Sequence, residues 1–192
     1  MSKETAKIIR IITAAPVLAL ILCVILRVCD GGYFANPLHF WLYVCFLTVL
    51  PATSYAFTTF IPELHMKGRD FERKLAIIFS LIGYVGAFIT GVFCGGATGE
   101  KILASTYVIS VTFTAILSVV KVKSSGHSCA LSGPVALLCY SVSYWFAFGF
   151  LLLIPVFYSS LRLKRHTPLQ LILGAIVPVV ALIISIAIFA GF

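Results

Sequence analysis

Apolar stretches separated by short polar clusters run the length of the chain. Segments 8–26, 40–60, 75–94, 102–120 and 168–188 carry almost no charge, and each has the length of about 20 residues that a helix needs to cross a hydrocarbon core of roughly 30 Å. Lys3, Lys7 and Arg10 flank the first segment in the manner of a signal peptide. Arg27 and a Gly31-Gly32 turn follow it instead of a small-residue cleavage site, so we read it as a retained helix. Gly95-Gly96 ends the third segment. Residues 130–158 admit two readings: one long helix of about 43 Å would put its flanks on opposite membrane faces, whereas a hairpin would return them to the same face. Tyr140, Tyr144 and Trp145 surround Ser141 and Ser143 in mid-segment, where interfacial aromatics belong if the chain turns near the headgroups. Each hairpin arm of about 15 residues then spans only about 23 Å, so the flanking loops should be sunken. The pattern predicts an all-α polytopic transmembrane bundle of about six to seven spans, with residues 1–192 forming one integral membrane domain.

Composition sharpens the class. The chain is 61% hydrophobic and 10% charged, with a mean hydropathy of +1.11, which excludes a soluble domain. The bilayer is the expected partner, nucleic acid is not, and oligomeric state stays open. The six cysteines show no close pair or metal spacing and read as small hydrophobes. No metal and no cofactor are expected.

Charge placement orients the bundle. With the hairpin, Lys3, Lys7, Arg10, Lys67, Arg69, Arg73, Lys74, Lys121, Lys123, Arg162, Lys164 and Arg165 share one side, and Arg27 and Lys101 lie on the other. Twelve of the fourteen Lys and Arg on one face is the asymmetry of a cytoplasmic side, and the expected location is the plasma membrane of a prokaryote. Loops that bind phosphate are basic for a chemical reason too, so the independent part of this evidence is the amino-terminal three against the opposing two.

Two of these loops carry candidate chemistry. Lys123-Ser124-Ser125-Gly126-His127 precedes the ambiguous stretch, and Arg162-Leu163-Lys164-Arg165-His166-Thr167-Pro168-Leu169-Gln170 follows it. A tetrahedral phosphate needs several donors and positive charge, which Lys123, Ser125 and the Gly126 amide can supply. Thr167 fits a helix N-cap with Pro168 at the first helical position, placing His166 beside the positive end of the last helix. One imidazole can attack phosphorus while a second protonates the leaving group. Gln170, one turn beyond His166, can fix its tautomer.

These residues resemble the type 2 phosphatidic acid phosphatase superfamily, which includes lipid phosphatases and vanadium haloperoxidases. Ser125-Gly126-His127 is similar to its second signature, and His166-Thr167-Pro168-Leu169-Gln170 with Gly174 to its third. Lys67-Gly68-Arg69-Asp70-Phe71-Glu72-Arg73-Lys74 stands where its first belongs. The resemblance covers about 61–178, the phosphatase-like core. It implies metal-independent hydrolysis, with His166 as nucleophile, His127 as acid, and phosphate held by Lys67, Arg73 or Lys74, Lys123, Ser125 and Gly126. Two departures mark a divergent branch. Ser160 stands where the third signature has an arginine, with Arg162 the nearest replacement, and Gln170 stands where an aspartate is usual. The implied substrate is a lipid phosphate or diphosphate, such as phosphatidate, an isoprenyl diphosphate or a sphingoid phosphate. An anion transporter or binding protein, or an inactive homologue, is the alternative. Asp70 and Glu72 are expected to pair with neighbouring cations, and His39 and His65 to be ordinary interface residues.

Overall fold

The computed structural model describes residues 3–61, 63, 66 and 68–191, and among these every regular element is helical. α1 (Lys3–Ile12) leads into α2 (Ala15–Cys29). α3 (Pro37–Val44), a π turn over Cys45–Val49 and α4 (Leu50–Phe60) make one span. α5 (Arg69–Phe93) and α6 (Thr98–Val119) follow. After α7 (Gly126–Ser141) come a 3₁₀ segment (Tyr144–Leu152), α8 (Leu153–Arg162) and α9 (Pro168–Phe189). Among the described residues five helical stretches are long and apolar enough to cross a membrane, six if α1 and α2 count as one bent span. Large apolar side chains such as Leu38, Ile82, Ile116, Phe148 and Ile183 point outward, as they must where lipid is the solvent.

The first span is not the straight helix expected over 8–26. It bends by 46° between α1 and α2. Pro16 has no N–H to offer the Ile12 carbonyl, and its ring crowds that carbonyl. Beyond the break the N–H groups of Val17 and Leu18 both turn to Ala14.

Residues 130–158 form the hairpin. α7 is the inner arm, buried continuously over 131–138 between α2, α9 and the 3₁₀ segment. The chain turns at Val142 and Ser143, where the Ser143 hydroxyl accepts the Trp145 N–H at 3.4 Å. The returning arm has no buried residue over Tyr144–Leu152. It lies close to α7 because Gly149 leaves room for the Val135 side chain. Tyr144, Trp145 and Phe148 are exposed at the turn, an aromatic rim of the kind found at headgroup depth.

α9 packs along α6 and α7, α5 along α6 and α4, and α1 against α8. The main core joins Leu22, Leu26, Tyr43, Leu47, Leu103 and Leu137. At the other end of α6 from Lys121, Glu100 is fully buried. Its carboxylate accepts the N–H groups of Ala35 (2.8 Å) and Ala97 (3.1 Å) and meets His39 Nδ1 at 2.9 Å. His39 is therefore a buried partner rather than an ordinary interface residue, with 4% exposure. A buried carboxylate needs this many donors to stay in place. His65 lies outside the described residues. All six cysteines are free.

Candidate active site

Two helix ends and two helix starts converge on the face that carries the amino terminus. α6 closes with Lys121 in the left-handed conformation (φ 62°), the Val122 N–H bonding the Leu117 carbonyl at 2.8 Å and the Lys121 N–H bonding Ser118 at 3.2 Å. α8 closes the same way through Lys164 (φ 50°), with Arg165 N–H to Ser160 and Lys164 N–H to Leu161, both at 3.0 Å. These are Schellman caps. Each turns the chain sharply after the last helical residue, which lets 122–126 and 165–167 fold over the bundle end.

The start of α9 holds the first of these loops. The Gln170 carbonyl accepts the Ser125 N–H at 2.9 Å, and a Cβ at Gly174 would overlap the Ser125 backbone. Only glycine permits this approach. The Ser125 hydroxyl caps α7 by accepting the Ser128 N–H at 3.3 Å.

A cavity of about 330 Å³ opens here, and both histidines, 39 positions apart in sequence, line it. His127 Nδ1 lies 3.0 Å from the Thr13 carbonyl. A carbonyl only accepts, so the proton sits on Nδ1 and the neutral ring keeps its lone pair on Nε2. The bend before α2 directs the Val17 N–H to Ala14, so it does not compete for that carbonyl. His127 lies at the mouth, outside the spans. Burial, then the charge of Arg10, push its pKa down to about 4 against the opposing effect of the Thr13 bond, and His166 and Arg165 add to the lowering.

His166 is held by the cap of α9. Its Nδ1 lies 3.2 Å from Gln170 Oε1, and the same oxygen accepts the Thr167 N–H at 3.3 Å while Thr167 Oγ1 accepts the Gln170 N–H at 3.4 Å. This is a capping box, with Pro168 at the first helical position. One amide oxygen thus secures the helix start and accepts the Nδ1–H of His166, which selects the tautomer whose Nε2 is the basic nitrogen.

Among the described residues four cations line the cavity, Arg10, Arg73, Lys123 and Arg165, against two carboxylates, Asp70 and Glu72. Arg73 Nη2 donates to the Ser124 carbonyl at 3.1 Å. Lys123 Nζ pairs with Asp70 at 2.9 Å, and both side chains are more than half exposed, which makes the pair a weak one. Arg10 Nη1 donates to Ser160 Oγ at 3.3 Å. Ser124 is buried, and its hydroxyl, like that of Ser128, is inaccessible and has no hydrogen-bond partner among the described residues. Farther along the wall stand Tyr55, Ser80, Tyr84 and Tyr107.

The fold brings together His127, His166, Arg73, Lys123 and Gly126 on this wall, with Gln170 behind His166. It does not bring Ser125, whose hydroxyl serves the α7 cap, nor Arg162, which is exposed in the last turn of α8. Lys67 lies outside the described residues. Sequence reasoning missed Ser124, Arg165 and Arg10 as wall residues. A signal for Arg10 existed: Ala6, Arg10 and Thr13 share one face of α1, away from the exposed Ile8, Ile11 and Ile12. Among the described residues no three His, Cys, Asp or Glu side chains group closely enough to hold a metal ion. No protein-family model, curated protein or solved structure matches the chain.

Proposed function

We propose that the protein is an integral membrane phosphatase that hydrolyses a lipid phosphate or diphosphate through a phosphohistidine intermediate. One observation carries this reading: two imidazoles, each with Nδ1 tied to an acceptor, line one cavity with Arg10, Arg73, Lys123 and Arg165. The resemblance of Ser125-Gly126-His127 and of His166-Thr167-Pro168-Leu169-Gln170 to type 2 phosphatidic acid phosphatase signatures supports it, with Ser160 and Gln170 marking a divergent branch.

In this mechanism Arg73, Lys123 and Arg165 and the Gly126 amide hold the phosphoryl oxygens. His166 Nε2 attacks phosphorus, forming the N–P bond as the bond to the leaving oxygen breaks. That oxygen takes a proton from Nε2 of His127 in its imidazolium form. Water then attacks phosphorus, giving its proton to His127, the N–P bond breaks, and phosphate departs. Gln170 Oε1 keeps the His166 ring in the reactive tautomer but lacks the charge that would stabilise an imidazolium, so we expect slower turnover than with a carboxylate there. The basic loops sit at the headgroup end of the spans, which suits a substrate whose tail stays in lipid. We place that end on the cytoplasmic side.

A second reading, an anion-binding or transport protein or an inactive homologue, is favoured by the uncharged Gln170. The test that separates them is turnover and phosphohistidine trapping in detergent with chelator present, on phosphatidate, an isoprenyl diphosphate, sphingosine phosphate and water-soluble esters. Orthovanadate, which adopts the geometry of a phosphoryl group in transfer, should bind more tightly than phosphate. Vanadate binding without hydrolysis or a phosphohistidine would favour the second reading, and absence of both hydrolysis and vanadate binding would end the first.

A further inference from the structure

α1 has two unlike faces. Ile8, Ile11 and Ile12 are 55%, 69% and 56% exposed, suited to the bilayer surface. Ala6 is buried, and Arg10 lines the cavity on the same face. The helix packs on α8, and there Arg10 Nη1 bonds the hydroxyl of Ser160, a side chain with no solvent exposure. The contact joins residues 150 positions apart. One turn on, the Thr13 carbonyl holds Nδ1 of His127.

We infer that α1 completes the phosphoryl site, with Arg10 as a substrate-binding guanidinium anchored by Ser160 and Thr13 as the residue that orients His127. The inference rests on the phosphatase reading and adds a residue to it. Three facts point the same way. Arg10 is on the wall of the cavity that holds both histidines. Its charge is the largest electrostatic influence on His127, second only to burial. Its contact at Ser160 is with a neutral hydroxyl, and a planar guanidinium presents N–H groups in several directions, so one group can bond Ser160 while another meets a phosphoryl oxygen. Ser160 is small and stands where the resemblance leads one to expect an arginine. The Arg10 guanidinium reaches the Ser160 hydroxyl from another helix.

The test compares Arg10→Gln, Arg10→Lys and, as a control on the same helix, Lys7→Gln, whose residue pairs with Glu4 on the exposed surface. Orthovanadate affinity and kcat/KM on detergent-solubilised phosphatidate are measured for each, with monodispersity checked. Losing a charge-assisted hydrogen bond predicts that Arg10→Gln weakens both by about tenfold to a hundredfold. Arg10→Lys should recover part of the loss, and Lys7→Gln should match wild type. Arg10→Gln combined with Ser160→Arg should regain activity, because the new side chain occupies the vacated space. By NMR, the His127 imidazole should titrate at higher pH in Arg10→Gln than in wild type. Unchanged vanadate affinity in Arg10→Gln overturns the inference, as does a loss seen on phosphatidate alone, which would put Arg10 on the tail. If wild type itself binds no vanadate and hydrolyses nothing, the phosphatase reading fails along with this one.

Discussion

The depressed pKa of His127 has a kinetic signature. If its Nε2–H donates to the leaving oxygen, the productive free enzyme is the imidazolium form, and with a pKa of about 4 only about one molecule in a thousand carries that proton at pH 7. At pH 9 the fraction is about a hundredfold smaller. A phosphate monoester, with its second pKa near about 6, is almost wholly dianionic across this range, so substrate ionisation does not compensate. The expected result is that kcat/KM falls about tenfold per pH unit between pH 7 and 9. Bound substrate changes the balance, because a phosphoryl dianion beside the ring favours the imidazolium. The basic limb of kcat, which reports the complex, should therefore lie at higher pH than that of kcat/KM. The assay is initial-rate phosphate release from a detergent-solubilised monoester across the range, with stability checked at each pH. A flat or rising kcat/KM from pH 7 to 9 would refute the assignment of His127 as proton donor.

His166→Ala and His127→Ala should each abolish phosphate release in a folded, monodisperse protein, and the double variant should be little worse than the worse single one, because the two groups act as a unit. Gln170→Glu should keep the capping box, which accepts either residue, and raise kcat by supplying the missing charge; collapse of activity in a folded variant would mean that Gln170 has another task. Gly174→Ala would drive a methyl into the Ser125 backbone, and we expect about 1–3 kcal/mol of destabilisation with a larger loss of turnover, read by thermal unfolding beside kinetics. Glu100→Ala removes the acceptor shared by His39, Ala35 and Ala97 and should destabilise by about 3–5 kcal/mol. Activity per folded molecule should persist in that variant, because the cluster lies at the end of α6 away from the histidines.

The helical bundle and its turn points were legible in the chain itself. A backbone in hydrocarbon must satisfy its own hydrogen bonds, so a run of about 20 apolar residues has few alternatives to a helix. The aromatic and serine residues around position 143 marked the hairpin without any glycine or proline, and Thr167-Pro168 marked the start of α9. The two histidine loops stood out because polar residues are rare in this composition. What the chain did not show was which faces meet. In lipid the outward and inward faces of a helix are equally apolar, so periodicity does not name a neighbour. The packing of α1 on α8 is what brings Arg10 to Ser160, and Pro16 is what bends the chain so that the Thr13 carbonyl meets His127. Excluding Ser125 depended on its hydroxyl capping α7, and excluding Arg162 depended on the rotation of the last turn of α8. Local pattern determined the helices and where the polar chemistry gathers. The identity of the side chains that share one cavity was decided by tertiary contacts, because residues at great sequence separation can be brought together only by how the helices pack.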